Sequence, residues 1–190
     1  MESLLRLDKA LFLLLNDLHH PWLDPVMVHV SGKLEWLPLY LVLLFLVVRH
    51  YKWESVRLLF FLSLLIALSD QLSVRLFKEV FTRPRPCHEL DLQPFIHLIN
   101  GKCGGRYGFI SSHAANSFGV ATFLFMALRP YYRAVGWLWV WAGIVSYSRI
   151  YLGVHYPGDI LAGALFGGTL GFAVWLLYVW FSKRICTTSC

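Results

Sequence analysis

A chain of 190 residues suits a single domain, here taken as 1–190. It is 57% hydrophobic and 15% charged, with a mean hydropathy of +0.57, where soluble domains run about 45–50% apolar and about 25% charged. A chain this small cannot hide so much apolar surface inside itself, so the surplus needs lipid. The net charge of +6 sits largely beside apolar runs, where it meets lipid headgroups, and this argues against a nucleic-acid partner.

In chain order, residues 3–17 read SLLRLDKALFLLLND. Leu4, Leu5, Ala10, Leu11, Leu14 and Leu15 recur at helical spacing, with Arg6, Lys9 and Asp17 elsewhere, the pattern of an amphipathic helix lying in the interface. Its apolar core, 11–15, is too short for a cleavable signal peptide. Residues 21–31 form a second short apolar piece, either re-entrant or a packed half-helix, which can be counted as a further span. Residues 1–34 therefore read as interfacial and short helices. Five stretches then approach membrane-spanning length: 36–48, 56–77, 113–128, 134–152 and 157–181. The expected fold is all-α, a polytopic transmembrane helical bundle of five to six spans.

Residues 78–112 are the longest polar stretch, too rich in Pro and Gly to be a span, and loops this long are commonly functional. If spans alternate, the ends at Phe77, His113, Leu152 and Pro157 share one side of the membrane. Arg49, Lys52, Arg57, Arg129, Arg133, Lys183 and Arg184 fall on the other, which the positive-inside rule makes cytoplasmic. The 78–112 loop is thus expected outside, where Cys87 and Cys103 either pair or remain free thiols. Cys186 and Cys190 belong to a short cytoplasmic tail. Gly163, Gly167 and Gly171, spaced four apart, fit close helix packing within the bundle.

Three polar clusters border the spans, where charge is costly unless used. In the first, KEVFTRPRP, Lys78 ends a helix and Arg85 sits between prolines. Together they can clamp a phosphoryl group or form a basic rim for headgroups. In the second, GFISSH, Ser111 or Ser112 can cap a helix whose free N–H groups form an anion site. His113 in its first turn could protonate a leaving oxygen, or simply be solvated. In the third, SRIYLGVHYPGD, Pro157 starts a helix and puts Asp159 in its first turn, within reach of His155. The carboxylate can hold one imidazole nitrogen as a donor and leave the other free to attack, or merely fix the turn. Arg149 adds a further cation.

In their order, Lys-x6-Arg-Pro, Ser-x-His and Ser-Arg-x5-His-x3-Asp, these clusters resemble the type 2 phosphatidic acid phosphatase superfamily, over about 80 residues from Lys78 to Asp159. The resemblance implies that Lys78, Arg85 and Arg149 bind phosphate oxygens, helped by Ser111 and the backbone at Ser112. It implies that His113 protonates the leaving group and that His155, oriented by Asp159, becomes a phosphohistidine, with no metal and no cofactor. The family's middle motif is usually Pro-Ser-Gly-His; here Ile110 and Ser112 replace its Pro and Gly. The expected substrate is a lipid phosphate, taken from the outer face of a bacterial inner membrane. Undecaprenyl diphosphate ranks first on family frequency, beside phosphatidylglycerophosphate, phosphatidate and lipid A phosphates. A silent binding or transport protein and a phosphatase for small soluble phosphates are the alternatives. Oligomeric state is left open. Asp70, in the second span, is expected to face the bundle and bond a neighbouring helix.

Overall fold

The computed structural model describes residues 2–188. Cys190 lies outside the described residues, and so does the side chain of Cys186. The described residues are helical, with no strand and one isolated bridge, Pro84 to Tyr107.

Helices α1 (Glu2–Asn16) and α2 (Leu23–Ser31) precede the bundle. Then come α3 (Leu37–Tyr51), α4 (Glu54–Leu72), a π-helical turn (Ser73–Lys78) and α5 (Glu79–Phe81), which continues the same rod. After the loop follow α6 (Ser112–Leu128), α7 (Trp137–Tyr151) and α8 (Pro157–Thr188). Glu54–Phe81 and Pro157–Arg184 are long and apolar enough to cross a membrane, and Leu37–Tyr51 is apolar but shorter.

The packing follows from small residues. A Cβ added at Gly163 would sit 2.6 Å from the Ser111 carbonyl oxygen. One at Gly167 or Gly171 would overlap the carbonyl of Ala115 or Gly119. The spacing of four thus lets α8 lie backbone to backbone against α6. Around this seam Leu58, Leu65, Phe123, Leu128 and Val174 form the main core. Leu41, Phe45, Val56, Phe60, Leu161 and Leu165 point outward, an apolar belt that needs lipid to cover it.

Helix α1 is two-faced, with Leu15 of its predicted apolar stripe partly buried against the protein. Leu4, Leu7, Leu11 and Leu14 are exposed, while Phe12 and Asn16 are buried. Phe12 joins Leu92, Ala114, Ile150, Tyr156 and Ile160 in a second core directly under the polar clusters. Asn16 donates to the carbonyls of Ile150 and Tyr151 at 3.1 and 2.8 Å, occupying free acceptors at the end of α7. Asp70 faces into the bundle, where it lines a groove between helices; among the described residues it bonds no neighbouring helix, contrary to expectation.

Candidate active site

Two helix ends create the His155 position. Helix α7 stops at Leu152, and Gly153 takes φ +73°, the left-handed conformation that glycine adopts without a Cβ penalty. The amides of Val154 and His155 then return to the Arg149 carbonyl at 3.1 and 3.3 Å. Pro157 opens α8, leaving His155 between the two helices, 1% exposed. Asp159, in the first turn, is 0% exposed. Its Oδ2 accepts from the Tyr156 amide at 3.0 Å and meets His155 Nδ1 at 3.4 Å. A Cβ on Gly108 would lie 3.2 Å from that same Oδ2 and 3.5 Å from His155 Nδ1, so the loop backbone packs closely onto the pair and a side chain there would press on the carboxylate. With Nδ1 held as the donor, Nε2 keeps the lone pair.

The loop bearing Arg85 is tied down rather than loose. Thr82 takes φ +44° and turns the chain out of α5. The Arg85 amide donates to the Arg106 carbonyl at 3.0 Å, and the Gly108 amide to the Arg83 carbonyl at 2.9 Å. Cys87 and Cys103 are joined by a disulfide. Arg85 itself donates from Nε to the Tyr107 carbonyl and from Nη1 to the Cys103 carbonyl, both at 3.4 Å.

Lys78 arrives differently. Residues five apart on an α-helix point roughly 140° away from each other, but an i→i+5 turn stacks them. The π-helical segment therefore brings Ser73 and Lys78 onto one face, and both meet Ser112 Oγ at 2.8 Å. The hydroxyl that Ser112 carries in place of the family's glycine is thus bonded to the Lys78 ammonium. Ser111, fully buried, caps α6 by accepting from the Ala114 amide at 3.4 Å, and its own amide donates to the Asp159 carbonyl at 3.0 Å. Arg149 donates to Ser31 Oγ at the end of α2, while its buried Nε has no partner among the described residues.

The eight residues singled out by the sequence come together in one place. Burial, reinforced by the Arg85, Arg149 and Lys78 cations, holds the His155 imidazole well below the usual histidine range. The same cations act on one another as like charges, a repulsion that an anion seated among them would relieve. Among the described residues no group of three or more His, Cys, Asp or Glu side chains could hold a metal ion.

Four contributors escaped the sequence reading: Ser31, Ser73, Asp8 and Arg83. The Arg83 guanidinium donates to Asp159 Oδ1 at 3.0 Å and to Asp8 Oδ2 at 2.8 Å. A basic loop gave no sign of which arginine faced carboxylates, and Asp8 lies 75 residues away in the chain.

A cavity of about 430 Å³ opens beside this cluster. Ser31, Lys33, Asp70, Ser112, His113 and Asn116 line its polar part, and it continues between α3, α4 and α6 along leucine and valine side chains. On α6 it reaches from Ser112 to Leu124, roughly 18 Å of helix at 1.5 Å per residue. Among the described residues, His113 lines the cavity and His155 does not.

Residues 56–183 match the family model described as the PAP2 superfamily. The chain is 36% identical over 180 residues to the lipid A 4'-phosphatase of Bacteroides thetaiotaomicron, covering 94% of this chain and 78% of that protein. It is 35% identical over 194 residues to the lipid A 4'-phosphatase of Porphyromonas gingivalis, covering 100% and 80%. Among solved structures it resembles the transmembrane PAP2-type phosphatidylglycerolphosphate phosphatase of Bacillus subtilis, with TM-score 0.66 and 23% identity over 97% of this chain and 89% of that one. That last likeness concerns the fold alone. With a family model across more than half its length and relatives above 30% identity across nearly all of it, the chain belongs to the PAP2 superfamily.

Proposed function

We propose that this membrane phosphatase hydrolyses a phosphate monoester of a glycolipid of the lipid A type, with His155 as nucleophile and His113 as acid. The cavity carries this reading, since it leads from His113 into an apolar groove long enough for an acyl chain. Lys78, Arg85 and Arg149 hold the equatorial oxygens, where phosphoryl transfer needs its charge stabilised. The His155 Nε2 lone pair forms the N–P bond as the P–O bond to the lipid breaks. His113 gives its proton to the departing oxygen. Water then attacks phosphorus, the N–P bond breaks and inorganic phosphate leaves, with His113 taking up the water's proton. In-line geometry puts the leaving group opposite His155, on the side where His113 meets the groove.

Asp70 and Asn116 favour a hydroxylated leaving group over a second phosphate. Both line the cavity beside His113; the Asn116 Oδ1 is buried without a partner among the described residues, and a carboxylate at Asp70 repels a diphosphate. The two lipid A 4'-phosphatases that this chain resembles along most of its length agree with a sugar-lipid phosphate. This moves undecaprenyl diphosphate from first rank to second.

Five crossings suit the helices, formed by α3, α4 with α5, α6, α7 and α8. The sixth candidate, α2, has 9 residues, too few where about 20 are needed. The Cys87–Cys103 disulfide supports an oxidising compartment for the active-site loop, and so the extracytoplasmic face of the bacterial inner membrane.

The test is phosphate release by detergent-solubilised protein, in EDTA, across a panel of substrates. The panel holds a glycolipid monophosphate, a prenyl diphosphate, phosphatidate and the soluble sugar phosphate. The glycolipid should lead by ~10-fold or more in kcat/KM, the scale set by unpaired polar groups in a mismatched site. Equal turnover of the soluble sugar phosphate, or loss of activity in EDTA, contradicts the proposal.

A further inference from the structure

Arg83 has no part in the phosphate chemistry above, yet it is held on every side. Its side chain is 17% exposed, and its two Nη atoms reach Asp159 Oδ1 at 3.0 Å and Asp8 Oδ2 at 2.8 Å. Its Cζ lies 3.9 Å from the centroid of the Tyr156 ring. Asp8 Oδ1 in turn accepts from the Gly158 amide at 2.7 Å. One chain of bonds therefore runs from α1 through Arg83 to Asp159 and His155. A shorter one runs from Asp8 straight to the first turn of α8.

We propose that Arg83 and Asp8 are positioning residues of the phosphatase. Arg83 fixes the Asp159 carboxylate that aims His155, and Asp8 fixes Arg83. The inference rests on the reading of His155 as nucleophile. A carboxylate with no exposure needs a counter-charge at good geometry. Among the described residues Arg83 is the cation hydrogen-bonded to it. Asp159 is then anchored through both oxygens, Oδ1 by Arg83 and Oδ2 by the Tyr156 amide and His155, so the carboxylate cannot rotate away. Asp8 and the Tyr156 ring solve the converse problem. Arg83 stands two residues from Arg85, and an untethered guanidinium there would compete for the phosphate. The amphipathic α1 helix, whose leucines face outward, is on this account part of the catalytic apparatus and not only an anchor.

A mere staple between α1 and the loop would place the same bonds, so the experiment must separate the two. In full-length, detergent-solubilised protein, kcat, KM, orthovanadate inhibition and Tm are measured for Arg83→Gln, Arg83→Lys, Asp8→Asn, Asp159→Asn and the pairs with Asp159→Asn. Arg83→Gln should lower kcat by ~10–100-fold, as losing an outer partner of a site residue does. Its KM and vanadate inhibition should stay within about twofold, Arg83→Lys should recover part of the loss, and Asp8→Asn should fall between. In the Asp159→Asn background either change should cost less than about threefold, because the route through the Asp159 carboxylate is already cut and Asp8→Asn keeps an oxygen for the Gly158 amide. Equal losses in both backgrounds, or a loss carried by KM and vanadate, overturn the proposal. If Arg83→Gln does not fold, the isosteric Asp8→Asn decides the matter by the same criteria. Should His155→Ala keep turnover, the nucleophile reading fails by itself. Should His155→Ala be dead while Arg83 and Asp8 variants run normally, only this proposal fails.

Discussion

At His155, the proposed nucleophile, burial and surrounding positive charge both disfavour the imidazolium. Its folded value lies well below the ordinary 6.5, so on acidification the ring stays unprotonated through that pH. The acid limb of kcat/KM assigned to the free enzyme should therefore fall below pH 6.5, and a limb centred at or above that value contradicts the electrostatics described. Gly108 offers a second test. A methyl there would meet Arg85 Cγ at 3.1 Å and Asp159 Oδ2 at 3.2 Å. Gly108→Ala should accordingly lower kcat by roughly 10–100-fold, because small displacements at reacting groups are costly; unchanged kinetics would mean the loop does not set the pair. The residues gathered here were legible because each motif is contiguous and sits at a helix end. Arg83 was visible only as one more cation in a basic loop, and nothing local links it to Asp8. Ser31 and Ser73 are ordinary hydroxyls until the fold brings Arg149 and Ser112 to them.

Among the elements, the α6–α8 seam sets how precisely the two histidine motifs face each other. Gly167→Val would drive a side chain into the Ala115 carbonyl, whereas Gly143 has nothing within 4 Å of an added Cβ. The first should destabilise by about 1–3 kcal/mol, the usual cost of overpacking, and Gly143→Ala should stay within about 0.5 kcal/mol. Thermal unfolding in detergent reads both; equal Tm values would mean that the seam is looser than described. The glycine spacing was readable because it repeats once per helical turn. The π-helical turn was not. Its sequence, SVRLFK, has no Pro or Gly to announce a change of winding, and only the meeting of Ser73 and Lys78 at Ser112 reveals its purpose. Asp70 was legible only in part, for a related reason. Position along a span does not say which face opens onto a groove.

For the whole molecule, composition alone pointed to lipid, and the outward belt on α3, α4 and α8 agrees. The proposed orientation has a direct check. A cysteine replacing Leu90, exposed in the active-site loop, should react with a membrane-impermeant maleimide in intact cells. One replacing Lys52, exposed between α3 and α4, should react only after lysis; the reverse pattern would invert the topology. Rapid quenching with a ³²P-labelled glycolipid phosphate in EDTA would trap the proposed phosphohistidine of this lipid phosphatase. A base-stable, acid-labile phosphoenzyme is expected, mapping to His155 and disappearing, with turnover, in His155→Ala. A His155→Ala protein that still forms the phosphoenzyme, or that turns over fully without one, would contradict that role for His155.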